Sequence, residues 1–215
     1  MPLAGRPLVE WSVAAFRRCP SVAAVVIASP PGHEHDLSDD DLTLIEGGET
    51  RAISVSNALR VVGTELVAIH DAARPLLTPE LVEGVVATLL ADPEAAGAIA
   101  ATPVTDTIKR TSEGTRAAFS VREKENAVLV VDGTLDRDRL WAAQTPQVFR
   151  VEALRDALAG DPERVEVATD EAMLVEEAGG RVLIHPAPPE NLKVTTPLDL
   201  RLAELLLGDA RAGGG

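Results

Sequence analysis

The sequence predicts an α/β protein built on a mostly parallel sheet with helices on both faces. Short, continuous apolar runs such as Val22 to Ser29 and Leu66 to His70 read as strands buried on both sides. Segments of helix length with 3.6-residue apolar spacing separate them. Polar clusters recur where the runs end, which is where ligands bind in such sheets.

The elements follow in order. Pro7 to Cys19 places Leu8, Trp11, Ala15 and Phe16 at helical spacing, so the chain opens almost directly into an amphipathic helix. The strand Val22 to Ser29 is closed by Pro30 and Pro31, and a short run, Leu42 to Ile45, leads into Gly47-Gly48-Glu49-Thr50-Arg51 and a helix to Val62. After the strand Leu66 to His70 comes Asp71-Ala72-Ala73-Arg74-Pro75. Thr78-Pro79-Glu80 supplies an N-cap, a proline at the first helical position and a first-turn acid, which starts a helix to about Ala91. Ala96 to Thr102 is strand-like, Thr169 opens a helix ended by Gly179-Gly180, and Arg181 to His185 is a further strand. Thr196-Pro197-Leu198-Asp199 caps a final helix through Leu207. Between Arg110 and Trp141 helical periodicity is lost and two strand-like pieces, Ala127 to Val131 and Thr134 to Arg139, suggest a projecting β-arm. An arm buries little apolar surface alone, so a second subunit is expected to cover it. Residues 1–207 are read as one domain with 110–141 as its arm, and the glycine-rich residues 208–215 as a frayed tail.

Composition narrows the function. The 215 residues carry a formal charge of -14 and 2% aromatics with no tyrosine. Nucleic acid and anionic membranes would be repelled, and stacking platforms for single strands are nearly excluded. A small anionic ligand remains compatible, because a few local cations and backbone N–H groups suffice to hold it. The lone Cys19 fits a reducing compartment and reads as a small buried hydrophobe. His33 and His35 lie in an acidic loop, Pro31 to Asp41, and read as solvated rather than metal-bound. No apolar run spans a membrane and no signal-peptide layout opens the chain, so a cytoplasmic protein is expected.

Seven segments occur together and in order: Gly47-Gly48-Glu49-Thr50-Arg51 with Ser54-Val55, His70 to Pro75, Pro103 to Lys109, Asp136-Arg137, Gln144 to Phe149, Thr169-Asp170-Glu171-Ala172, and Asn191-Leu192-Lys193-Val194-Thr195. With them the chain resembles the 2-C-methyl-D-erythritol 4-phosphate cytidylyltransferases of the non-mevalonate isoprenoid pathway. The resemblance implies a Rossmann-like sheet of the nucleotide-diphospho-sugar transferase type and a Mg²⁺-dependent transfer of the cytidylyl group from CTP to methylerythritol phosphate. Such chemistry is carried by positioning and by neutralising phosphate charge rather than by proton transfer. Residue by residue, Lys193 and Arg137 match the catalytic cations, the first offsetting charge on the pentacoordinate phosphorus and the second orienting the methylerythritol phosphate. Asp71 matches an acid that contacts both substrates and helps hold Mg²⁺, with Ala72 beside it. Gly48, Glu49 and Ser54 match cytosine and ribose contacts, and Thr145 a hydroxyl on the alcohol's phosphate. Arg74 and Thr107, with Asp106 close by, match residues that serve the neighbouring subunit's pocket in a homodimer joined through the arm.

The resemblance departs at the front. The family opens with a strand, a glycine-rich loop and a Pro-Lys pair that hold the triphosphate, whereas Met1-Pro2-Leu3-Ala4-Gly5-Arg6-Pro7-Leu8 matches the segment just after that lysine. The expectation is a native start upstream of Met1 and a central strand missing from this chain, which leaves its neighbours with open edges. Two other readings accompany it: ribitol 5-phosphate as the alcohol, and a non-catalytic remnant that dimerises or holds nucleotide weakly. The segment Thr111 to Val131 also exceeds the family's usual arm length.

Overall fold

A computed structural model describes residues 2–30, 42–111 and 130–212. The acidic loop Pro31 to Asp41 with its two histidines, and residues 112–129 of the arm with most of the strand-like piece at Ala127 to Val131, lie outside the described residues. The chain divides into two compact units, Met1–Ala101 with Ala143–Gly215, and Thr102–Ala142.

The first unit begins with a tight hairpin of β1 (Pro2–Leu3) and β2 (Arg6–Pro7). Its turn residues Ala4 and Gly5 have φ of 50° and 78°, the left-handed pair that a type I′ turn demands. The hairpin leads into α1 (Leu8–Phe16). The strand β3 (Val25–Ser29) runs parallel to β4 (Leu42–Glu46), and Gly47 N–H donates to the Ser29 carbonyl at 2.7 Å just beyond them. Then come α2 (Arg51–Leu59), β5 (Leu66–Ile69), α3 (Pro79–Leu90) and β6 (Gly97–Pro103). Thr50 and Thr78 cap α2 and α3 by accepting from Ile53 N–H and Leu81 N–H, as the hydroxyl-plus-proline pattern at Thr78 predicts.

In the second unit, β7 (Lys109–Thr111) pairs with β8 (Val131–Thr134) in antiparallel register, and Leu135 N–H donates to Ile108 O just beyond the last pair. The strand expected over Thr134 to Arg139 is corrected: the ladder stops at Thr134. Asp136 then accepts from Asp138 N–H and winds Arg137–Arg139 into one 3₁₀ turn.

The remaining elements are β9 (Trp141–Arg150), α4 (Val151–Leu158), α5 (Pro162–Val167), α6 (Glu171–Glu177), β10 (Val182–Pro186) and α7 (Pro197–Ala212). The main sheet has the order β10-β6-β9-β5, with β10 parallel to β6 and β5 antiparallel to β9. Among the described residues, β3 and β4 form a separate two-stranded sheet.

Side-chain alternation along β6 and β9 explains the layers. Ala98, Ala100 and Val148 point to one face and pack with Ala15, Phe16, Leu81, Val82, Val85 and Leu89 from α1 and α3. Ile99 and Phe149 point to the other, against Val55, Leu59, Leu154, Ala172 and Val175 from α2, α4 and α6. The α/β class with helices on both faces is therefore present. A third cluster joins Leu3, fully buried, to Val194 and Ala203, which ties the N-terminal hairpin to α7. Helix α7 is capped reciprocally: Asp199 accepts from Thr195 and Thr196 N–H, and Thr196 Oγ1 accepts from Asp199 N–H. The helix continues through Ala212, so residues 208–212 belong to it rather than to the tail expected from their glycine and alanine content. Leucines and alanines on either side of Gly208 sustain the helix past it.

Candidate active site

The loop after β5 is assembled from inside. Arg74 N–H donates to Asp71 O at 2.9 Å, which closes a turn. Beneath it, His70 lies edge-on to the Phe16 ring, with Nε2 3.1 Å from Arg74 O and Nδ1 3.1 Å from Thr145 Oγ1. Burial pushes the His70 imidazolium down to about 4, so the ring is neutral near pH 7. One proton assignment satisfies every group. The Arg74 carbonyl only accepts, so His70 Nε2–H donates to it, Nδ1 accepts from the Thr145 hydroxyl, and Thr145 Oγ1 accepts from Asp71 N–H at 3.1 Å. Thr145 is buried, and its only proton is committed to His70. In this network the hydroxyl supports the Asp71 loop and has no hydrogen to offer a phosphate.

Asp71 meets two cations. Lys193 Nζ is 2.8 Å from Oδ2, and Arg51 Nε donates to Oδ1 at 3.2 Å. Burial pushes the Asp71 carboxyl up, but the Lys193 ammonium and the Arg51 guanidinium outweigh it and hold the group below the usual carboxylate range. Arg51 also donates through Nη1 to both oxygens of Glu171, which is 1% exposed. Four alternating charges thus run from Glu171 through Arg51 and Asp71 to Lys193.

Lys193 is placed by its neighbours. Asn191, 1% exposed, donates to Gln144 Oε1 and to Thr145 O, and its own carbonyl accepts from Arg74 Nη1 at 2.8 Å. On the other side of Lys193, Val194 N–H donates to Ala73 O at 2.7 Å. The Arg74 guanidinium is accordingly turned into its own chain, where it holds Asn191.

The Gly48 amide donates to Ser54 Oγ at 3.0 Å, and that hydroxyl donates to Thr50 O, so Ser54 shapes the loop and also caps it. A Cβ on Gly48 would overlap Ile53 Cγ2, which accounts for glycine there. Glu49 and Ala72 lie on the loops they belong to, Ala72 exposed. In the second unit, Thr107 is exposed and the Arg137 guanidinium donates to Thr105 O from the 3₁₀ turn.

Of the predicted residues, Asp71, Arg74, Thr145 and Lys193 come together at one place in the first unit, while Gly48 and Ser54 build a loop at the start of α2. Arg51, His70, Glu171 and Asn191 join the cluster without a role having been expected of them. One signal was available for Arg51. A cation at the first position of a helix opposes the helix dipole, so it needs a carboxylate partner, here Asp71 and Glu171.

Comparison with known proteins points to one family. The family model for 2-C-methyl-D-erythritol 4-phosphate cytidylyltransferase (IspD) matches residues 1–209. The protein of that name from Cupriavidus pinatubonensis is 37% identical over 231 residues, covering 98% of this chain and 86% of its own length. The one from Synechococcus elongatus is 39% identical, covering 96% and 86%. The crystal structure of 2-C-methyl-D-erythritol 4-phosphate cytidylyltransferase from Thermus thermophilus superimposes with a TM-score of 0.78 at 32% identity, over 96% of this chain and 92% of that one. Near-complete matches in sequence and in structure lead to the same conclusion: the chain belongs to the 2-C-methyl-D-erythritol 4-phosphate cytidylyltransferase family.

Proposed function

We propose that this protein transfers the cytidylyl group of CTP to 2-C-methyl-D-erythritol 4-phosphate, forming 4-diphosphocytidyl-2-C-methyl-D-erythritol and pyrophosphate. The observation that carries the reading is the Lys193–Asp71–Arg51 cluster at the end of β5, an acid between two cations in a family of cytidylyltransferases. A phosphate oxygen of the alcohol attacks the α-phosphorus of CTP, and the bond from that phosphorus to the bridging oxygen breaks as pyrophosphate departs. The attacking oxygen is already ionised at neutral pH, so no general base is required. Lys193 has three N–H donors, of which Asp71 takes one; the others are available to phosphate oxygens as charge builds up on the pentacoordinate phosphorus. Arg137 keeps donors besides the one on Thr105 O, and its planar fork suits the alcohol's phosphate. Gly48, Glu49 and Ser54 are assigned to the cytidine.

Among the described residues no three metal-ligating side chains gather, so they make no closed metal cage. The donor set suits a Mg²⁺ that arrives with a triphosphate, because Mg²⁺ is commonly held by one or two carboxylates together with substrate phosphates, and Asp71 offers such a carboxylate. When bound, the ion supplies neutralisation of phosphate charge. In the same reading the enzyme is a cytoplasmic homodimer joined through residues 110–141, with Thr107 near the partner's substrate, whereas the Arg74 guanidinium, engaged with Asn191 O of its own chain, supports the Asp71 loop. The buried thiol of Cys19, raised to about 11 by burial and by Glu83 and Glu80, is compatible with a reducing compartment.

The test is pyrophosphate release from CTP and Mg²⁺ with either alcohol phosphate, followed by ³¹P NMR of the product. Release with methylerythritol phosphate at an enzymatic rate supports the proposal. Release with ribitol 5-phosphate alone, or none with either, overturns it in favour of the second alcohol or of a non-catalytic nucleotide-binding protein.

A further inference from the structure

We infer that Glu171 is a positioning residue that acts through Arg51 to hold the Asp71 carboxylate in the orientation in which its second oxygen meets Lys193. The inference rests on the reading that Asp71 and Lys193 belong to the reacting site. Glu171 is the first residue of α6 and is 1% exposed. A carboxylate buried to that degree is costly unless it is paired, and the Arg51 guanidinium supplies donors to both of its oxygens. Burial still pushes the Glu171 carboxyl above its usual range, with Arg51 offsetting part of the effect.

The geometry of the guanidinium turns a structural pair into an orienting device. Its donors lie in one rigid plane, so fixing Nη1 on Glu171 also fixes the direction of Nε, which points at Asp71 Oδ1. Oδ2 is thereby left to Lys193. Glu171 itself cannot drift, because the neighbouring Asp170 accepts from Met173 N–H and from the Gln147 amide at 2.8 Å, pinning the start of α6 to β9. The same strand holds the Asp71 backbone through Thr145. Asp71 is therefore set from two sides, its backbone from β9 and its side chain from α6. Without the Glu171 charge, Arg51 is free to turn both arms of its fork onto Asp71 and to compete with Lys193 for Oδ2.

Two readouts test this on the full chain. The protein has three lysines, Lys109, Lys124 and Lys193, so reductive methylation with ¹³C gives a simple spectrum in which Lys193→Arg identifies the Lys193 signal. Asp71→Asn calibrates the shift that accompanies loss of the contact. Glu171→Gln, which keeps the shape and removes the charge, is expected to move the Lys193 signal in the same direction and to leave Lys109 in place. It is also expected to lower kcat about tenfold, with KM nearly unchanged. In an Arg51→Met background the same substitution should add no further loss. A Lys193 signal that stays put while only the melting temperature falls overturns the inference, as do losses that multiply in the double variant. If Glu171→Gln does not fold, Glu171→Asp, which keeps the charge and the Arg51 pair within the chain but draws the carboxylate back by one methylene, takes its place. A Lys193 signal displaced in that variant supports the inference, and one that stays at its original position overturns it. Should the unmodified protein release no pyrophosphate, the proposed reaction fails while the NMR result still decides the role of Glu171.

Discussion

Arg74 and Asn191, 117 positions apart, are joined by a hydrogen bond of 2.8 Å from the guanidinium to the backbone carbonyl. With Val194 N–H donating to Ala73 O, this bond staples the segment that carries Lys193 to the loop that carries Asp71. The contact between Lys193 and Asp71 is thus a product of backbone placement, and the long lysine side chain has only its last atoms to arrange.

Arg74→Met keeps most of the packing and removes the staple. It is expected to destabilise the protein by about 1–2 kcal/mol, since one hydrogen bond with a charged donor is lost from a partly buried site. Because Lys193 is displaced as well, kcat should fall by roughly tenfold or more. Urea titration alongside steady-state kinetics checks both, and an active but destabilised variant would show that Arg74 serves the fold alone.

Lys193→Ala should separate activity from stability in the opposite sense. The side chain is 45% exposed, so its ion pair with Asp71 contributes little to folding, within about 0.5 kcal/mol. Loss of a cation from the reacting phosphates is expected to lower kcat by about 10²–10³. A normal rate in this variant would remove Lys193 from the chemistry.

Gly48→Ala places a methyl group into Ile53 Cγ2 and within 2.5 Å of Ile53 Cβ, and the second contact cannot be relieved without moving the start of α2. The variant is expected to lose about 1–3 kcal/mol and to bind CTP more weakly. Ile53→Gly in the same chain removes both Ile53 Cγ2 and Cβ from the added methyl group and should restore much of the CTP affinity, measured by calorimetry. Failure of that rescue would mean that the backbone conformation, rather than the space, demands glycine.

The buried imidazole gives stability a pH dependence. In the folded chain His70 takes up its proton only near pH 4, whereas in the unfolded chain it does so near its ordinary 6.5. Between those values the unfolded state binds more protons, so stability falls as the pH drops from about 6.5 towards 4, by about 3 kcal/mol in all. Asp71 and Asp199, whose carboxyls are held low, lose their contribution in a lower window, the latter only towards about 2. Melting temperature measured from pH 7 to 4 should show the slope, and His70→Gln should flatten it. An unchanged slope in that variant would assign the dependence to other groups.

By itself the sequence determined the local and the near-repeating features: the α/β class, the caps at Thr78 and Thr196, the strand ends that carry polar loops, and the family to which the ordered motifs belong. These are legible because apolar periodicity, proline and hydroxyl caps act within a few residues, and because seven motifs stand in one order. Tertiary structure alone decided how the side chains are spent. Thr145 gives its proton to His70, Arg74 turns to Asn191, and Arg51 reaches a carboxylate 120 positions away. Each of these depends on which donor a closed chain brings within about 3 Å of which acceptor. That selection comes from packing β9, α2 and α6 around the end of β5; the local sequence signals only that Arg51 needs a carboxylate, not which one.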